Sequence, residues 1–122
     1  MNLNILVADD EPDVVQTYSE ILEWRGHHVC ITNKGEDCIT EYLSSLEDKG
    51  KSPYDVVIID HMMPDLSGAR VARKILEINP RQQVVFVSGH GSDLLSRLDG
   101  ISNIDFLTKP VVPDALIKLI ES

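Results

Sequence analysis

Val56-Val57-Ile58-Ile59-Asp60, followed by His61-Met62-Met63-Pro64-Asp65-Leu66-Ser67-Gly68, decides the fold of this 122-residue chain. Four consecutive apolar residues, all of them β-branched, describe a strand buried on both faces. A half-exposed strand would alternate apolar with polar residues instead. The run stops at an acid. The same pattern recurs upstream as Ile5-Leu6-Val7-Ala8 before Asp9-Asp10-Glu11, and downstream as Val84-Val85-Phe86-Val87 before Ser88. With these runs at their centres, five strands are expected at Leu3–Ala8, His28–Thr32, Asp55–Ile59, Gln83–Val87 and Ile104–Leu107.

Segments of helical periodicity separate them. Pro12 suits a first helical turn, Val14, Val15, Tyr18, Ile21 and Leu22 share a face, and Gly26 stops the helix. Ile39, Tyr42, Leu43 and Leu46 mark a second helix, after which Glu47 to Pro53 forms a polar return to the third strand. Val71, Ala72, Ile75 and Leu76 mark a third, ending before Asn79-Pro80. Leu94, Leu95 and Leu98 indicate a shorter helix, and Ala115, Leu116, Leu119 and Ile120 a final one. Strict alternation of buried strands and helices predicts an α/β, doubly wound, five-stranded parallel sheet with helices on both faces. The flavodoxin-like strand order 2-1-3-4-5 is expected, with the ligand crevice at the carboxyl ends of the first and third strands.

Size and composition narrow the function. The length fits one domain, residues 1–122, with one core. Twenty acidic against eleven basic residues give a formal charge of -9, which repels phosphate backbones and argues against direct nucleic-acid binding. Apolar runs of four residues are too short to span a membrane, and Met1-Asn2-Leu3-Asn4 does not begin a signal peptide. Cys30 and Cys38 lack metal-ligand spacing and read as reduced thiols, so a cytoplasmic location is expected.

The crevice rule demands reactive residues just after the strands, and the sequence supplies them. Asp9, Asp10 and Glu11 follow the first strand, Asp60 the third, Ser88 the fourth and Lys109 the fifth. Taken singly, each has an ordinary use: acids favour a helix N-terminus, Ser88 can cap a helix, Asp60 can start a turn, and Lys109 can be a solvated charge. Their joint placement on one rim argues for one site. Crowded carboxylates raise each other's pKa unless a cation lies between them. An oxygen-only ligand set favours Mg²⁺ or Mn²⁺ over zinc. A carboxylate can act as a nucleophile toward phosphorus, and phosphoryl transfer then needs positive charge and donors around the transferred oxygens.

Four stretches carry a resemblance to the response-regulator receiver domains of two-component signalling systems. They are Ile5 to Glu11, Asp55 to Gly68, Val84-Val85-Phe86-Val87-Ser88-Gly89, and Asp105-Phe106-Leu107-Thr108-Lys109-Pro110. The resemblance covers essentially the whole chain. It implies that Asp60 is the phosphoacceptor, that Asp10 ligates the metal directly and Asp9 through water, and that the Met62 backbone carbonyl is a further ligand. It assigns Ser88 and Lys109 to the phosphoryl oxygens, leaves room beside Gly89, and makes the Lys109–Pro110 bond cis. Phe106 matches the family's switch aromatic, though a lone Phe on a short strand also serves as core. The implied partners are a histidine kinase or phosphotransfer protein, and an effector domain or downstream protein engaging the face formed by the fourth helix, fifth strand and fifth helix.

Some positions depart from the family pattern. Leu46 to Tyr54 is longer and more polar than usual, Ser102-Asn103-Ile104 stands where Gly-Ala is common, and Ser88 replaces a more frequent Thr. By the resemblance, Met62 and His90 stand at positions that tune phosphoryl lifetime in the family. His27-His28 reads as a metal pair or as a strand entrance, and Trp24 as a kinase docking surface or as packing. Two other functions compete: a Mg²⁺-dependent phosphatase or phosphotransferase with an Asp nucleophile, and a degenerate receiver acting as a binding module. The former carries Asp-x-Asp on its first strand and the latter lacks part of the acidic set, so a non-enzymatic phosphorylation switch is expected.

Overall fold

In the computed structural model, which describes residues 2–49, 54–61, 63, 65–89 and 104–121, the apolar runs form the expected strands. They are β1 (Asn4–Ala8), β2 (His28–Thr32), β3 (Val56–Asp60), β4 (Gln83–Ser88) and β5 (Ile104–Thr108). All pair in parallel, in the order β2-β1-β3-β4-β5. The helices are α1 (Pro12–Trp24), α2 (Gly35–Lys49), α3 (Gly68–Ile78) and α4 (Pro113–Glu121). The helix expected around Leu94–Leu98 lies outside the described residues. Among the described residues, no helix is long and apolar enough to cross a membrane.

Successive residues of the central strands feed two separate buried clusters, which is why the strands are apolar without alternation. Leu6, Ala8, Val57, Ile59, Val84 and Phe86 join Cys38 and Tyr42 of α2 and Val71, Ala72 and Ile75 of α3. Ile5, Val7, Val56, Ile58, Val85 and Val87 join Tyr18 and Leu22 of α1 and Leu116 and Ile120 of α4. Each fully buried Val, Leu or Ile contributes about 1.5–3 kcal/mol relative to exposure. The aliphatic residues therefore hold the sheet, as the low aromatic content requires.

Helix boundaries follow local chemistry. Pro12 occupies the first turn of α1, and Gly26, at φ +90°, closes its far end with its N–H donating to the Glu23 carbonyl. Ser67 caps α3, its side chain accepting from the Arg70 N–H.

Three sequence expectations need adjustment. Strands β3 and β4 each extend one residue further, so Asp60 and Ser88 are final strand residues rather than the first residues after them. Ladder bonds use backbone, and Asp60 pairs with Val87 as readily as an apolar residue does. Helix α2 continues through Glu47, Asp48 and Lys49 into the expected polar return, because a helix can outrun its buried stripe. Trp24 is 81% exposed, which removes the packing reading.

The start of α3 leans directly on the end of β3. A Cβ on Gly68 would land against the backbone carbonyl of Asp60 and within 3.0 Å of the His61 Cα. Neither can yield as a flexible side chain would. Gly68→Ala should therefore cost about 2 kcal/mol or more in urea denaturation. Gly89→Ala, where a Cβ meets nothing within 4 Å, should stay within about 0.5 kcal/mol of the parent. Equal costs for the two would show that the close approach is not a constraint.

Candidate functional site

Parallel pairing of β1 and β3 brings Asp9, just beyond β1, beside Asp60 at the end of β3. Both are almost fully buried, at 1% and 2% exposure. The Asp9 N–H donates to the Thr32 carbonyl, and its Oδ1 accepts from the Glu11 N–H at 2.9 Å. The turn after β1 thus folds back on its own first acid. Carboxylate oxygens of Asp9, Glu11 and Asp60 lie within 4.8 Å of one another.

Lys109 reaches this group from the turn after β5. Its Nζ lies 3.1 Å from Asp60 Oδ1 and 3.0 Å from Glu11 Oε1. The Lys109–Pro110 bond is cis, as the resemblance implied. Burial lowers the affinity of the Lys109 ammonium for its proton, but hydrogen bonds to Glu11 and Asp60 outweigh that and the net shift is upward. Lysine therefore stays charged.

The acids feel the opposite pressure. Burial pushes the Asp9 carboxyl up to about 6, partly opposed by its bond from Glu11 N–H and reinforced by the charge of Asp60. Burial likewise raises Asp60, with Lys109 pulling it back and Glu11 and Asp10 adding repulsion. Asp9 Oδ2 and Asp60 Oδ2 are buried acceptors without a hydrogen-bond partner among the described residues. Unmet acceptors on two adjacent buried acids fit a hard divalent cation, which would bind oxygen and relieve the repulsion.

The loop after β3 is fixed from several sides. The His61 N–H donates to the Val87 carbonyl and the Gly68 N–H to the His61 carbonyl, both at 3.0 Å. Asp65 accepts from the Gly35 and Glu36 N–H groups at 2.8 and 2.9 Å, placing its charge at the start of α2. These bonds hold its carboxyl below the ordinary value, chiefly through the Glu36 N–H.

Of the residues singled out in the sequence, Asp9, Asp60 and Lys109 come together. Asp10 is exposed and stands outside the close carboxylate group, although its charge reaches Asp60. Glu11 takes a place there that the sequence reading did not assign it; its position in the acidic triplet was the available signal. Ser88 ends β4 opposite Thr108. Met62 and His90 lie outside the described residues. Phe106 is 39% exposed, so it is not simple core, and its ring stacks obliquely on Phe86 at 6.1 Å, which in turn meets His61 at 5.9 Å. His27 and His28 form no metal pair: His28 is exposed, while the His27 ring accepts from the Leu3 N–H and bonds Glu121.

Asp9 generates a pH signature. Its folded-state pKa of about 6 exceeds the ordinary carboxylate value, so the folded protein binds the extra proton between roughly pH 4 and 6. Stability from this group is full below the unfolded pKa and is lost as pH rises through about 6. In EDTA the melting temperature should therefore rise when pH falls from 7 to 5, and Asp9→Asn should flatten that slope. A wild-type profile that falls over this interval, matched by the variant, would sink the assignment.

The family model described as response regulator receiver domain matches residues 5–121. The response regulator protein TmoT of Ectopseudomonas mendocina is 30% identical over 97% of this chain and 51% of its own length. A receiver domain structure from Clostridium thermocellum superposes with TM-score 0.78 at 32% identity, covering 97% of this chain and 90% of that one. The receiver domain of Francisella response regulator 1452 gives 0.80 at 28% identity, covering 98% and 94%. The chain spans about half the length of the curated relatives it matches. By family match, by sequence likeness and by fold, this chain belongs to the response-regulator receiver domains of two-component systems.

Proposed function

We propose that this domain is a phosphorylation switch: Asp60 accepts a phosphoryl group from a phosphohistidine on a histidine kinase or phosphotransfer protein. The observation that carries the reading is the Asp60 carboxylate, 2% exposed and held 3.1 Å from the Lys109 ammonium, beside the buried acid Asp9. An ionised carboxylate oxygen of Asp60 forms the new O–P bond while the P–N bond of the donor breaks, and the electron pair leaves with the imidazole. Lys109 keeps Asp60 ionised before transfer and can then shift toward the phosphoryl oxygens. The Ser88 hydroxyl supplies a further donor. Asp9, Asp60, Asp10 and the Met62 carbonyl are the proposed holders of Mg²⁺ or Mn²⁺, with Glu11 placed to join them. Such an ion supplies neutralisation of charge on the transferred group.

Phe106 is the proposed output element. Half-exposed on β5 and stacked on Phe86, it has solvent on one side and a buried ring on the other, as a residue with two packings needs. Relatives include proteins named as transcriptional regulators. An effector segment acting on transcription fits that company, whereas direct DNA contact by this segment is opposed by its charge of -9.

Acetyl phosphate with Mg²⁺ should add one base-labile phosphoryl group, and Asp60→Asn should abolish the mass shift. Label on that variant, or steady turnover of a generic phosphoester, would contradict the switch reading. The coupling is tested separately. Beryllofluoride with Mg²⁺ should shift amide resonances across Ile104–Lys109, and Ser88→Ala should bind it yet lose most of those remote shifts. Remote shifts of full size in Ser88→Ala would show that the hydroxyl does not couple site to surface.

A further inference from the structure

Glu11 stands at the N-cap of α1, yet its side chain makes no capping bond there. Ser, Thr, Asp and Asn serve that position well, so a glutamate at it has its side chain free for another use. Its backbone is already committed. The N–H donates to Asp9 Oδ1 at 2.9 Å, and the carbonyl accepts from the Val15 N–H at 3.0 Å. From this fixed point the side chain crosses to the turn after β5, where Oε1 accepts from Lys109 Nζ at 3.0 Å.

Lys109 thus has two carboxylate partners, Glu11 at 3.0 Å and Asp60 at 3.1 Å. The two are unlike. The Asp60 side chain is 2% exposed and that of Glu11 58%. In the proposed transfer the Asp60 carboxylate gives up its negative charge as its oxygen bonds phosphorus, whereas Glu11 takes no part in the bond changes. The contest for the ammonium then lies between the phosphoryl oxygens and Glu11. A lysine ammonium suits such a contest, because its three donors sit on a flexible stem and rotate between acceptors.

We propose that Glu11 is a positioning residue for Lys109, holding the ammonium beside the turn after β1 at rest and competing with the phosphoryl group for it after transfer. The inference rests on the reading of Asp60 as the phosphoacceptor. Glu11 thereby limits how firmly the phosphorylated site is held, a use separate from joining a cation.

The test compares the full chain with Glu11→Gln, which keeps the length of the side chain and removes its charge. Beryllofluoride affinity at saturating Mg²⁺ is measured by NMR, together with the side-chain resonances of Lys109 before beryllofluoride is added. The variant should bind beryllofluoride about threefold more tightly, the scale of an ion pair whose carboxylate is more than half exposed. Its Lys109 resonances before the addition should lie closer to the positions they reach in the wild type with beryllofluoride bound. Equal or weaker beryllofluoride affinity in the variant would overturn the inference, and a parallel loss of Mg²⁺ affinity would make Glu11 a cation ligand instead. Tighter binding with the Lys109 resonances unmoved would also overturn it, since removing any nearby negative charge favours an anion. A wild-type chain that takes up no beryllofluoride would remove the phosphoacceptor reading itself, and the role of Glu11 with it.

Discussion

Burial of Asp9 and Asp60 side by side, offset by one ammonium, is the constraint from which the rest of this domain can be understood. Parallel strands place their carboxyl ends on one rim, and the register that aligns Ala8 with Ile59 leaves the next residue of each strand as an acid. Taking a carboxylate out of water is expensive unless it is paired. Lys109 pairs with Asp60 directly and with Asp9 only through its field, so the compensation is incomplete. The raised Asp9 carboxyl and the unmet oxygens express the remainder. A site under this electrostatic load stays folded because the two apolar clusters beneath it are filled by fully buried aliphatic residues.

That tension also explains the construction of the loop after β3. A nucleophile must be presented at a fixed angle, and side-chain hydrogen bonds alone do not fix a backbone. Here the backbone is fixed by contact. Gly68 lets α3 rest on the Asp60 carbonyl, and the His61 peptide is held by Val87 on one side and Gly68 on the other. Asp65 fastens the same loop to the start of α2. Asp60, His61, Asp65 and Gly68 are thus tied to one another and to the start of α2, which fixes where the Asp60 carboxylate stands.

Much of this was legible in the sequence because the signals were of two independent kinds. Consecutive apolar residues at Ile5–Ala8, Val56–Ile59 and Val84–Val87 identified doubly covered strands, and the topological rule then located the rim where Asp9, Asp60 and Lys109 meet. What remained hidden depends on backbone and rotamer. Strand ends at Asp60 and Ser88 are set by ladder bonds that hydropathy does not register. Whether Asp10 or Glu11 turns inward depends on how the chain leaves β1, and three adjacent acids look alike in a string of letters. Tyr18 was read as one more apolar position of α1. Its ring, packed in the apolar cluster with Val7 and Ile58, justifies that reading.

The far end of α4 is tied back to the exit of α1. Glu121 receives two bonds from Arg25, at 3.0 and 2.6 Å, and meets His27 Nε2 at 2.9 Å. His27 Nδ1 also accepts from the Leu3 N–H, so the ring links the start of the chain to Glu121. Arg25, then His27, hold the Glu121 carboxyl down at about 2, so this clasp keeps its charge across the working pH range. Helix α4 is thus anchored at its C-terminal end to the exit of α1 and at its buried face through Leu116 and Ile120. Its N-terminal end follows Lys109 and Pro110, and Lys109 pairs with Asp60. The half-exposed Phe106 lies on the strand that feeds this helix, so the surface aromatic and Lys109 share one strand-to-helix connection.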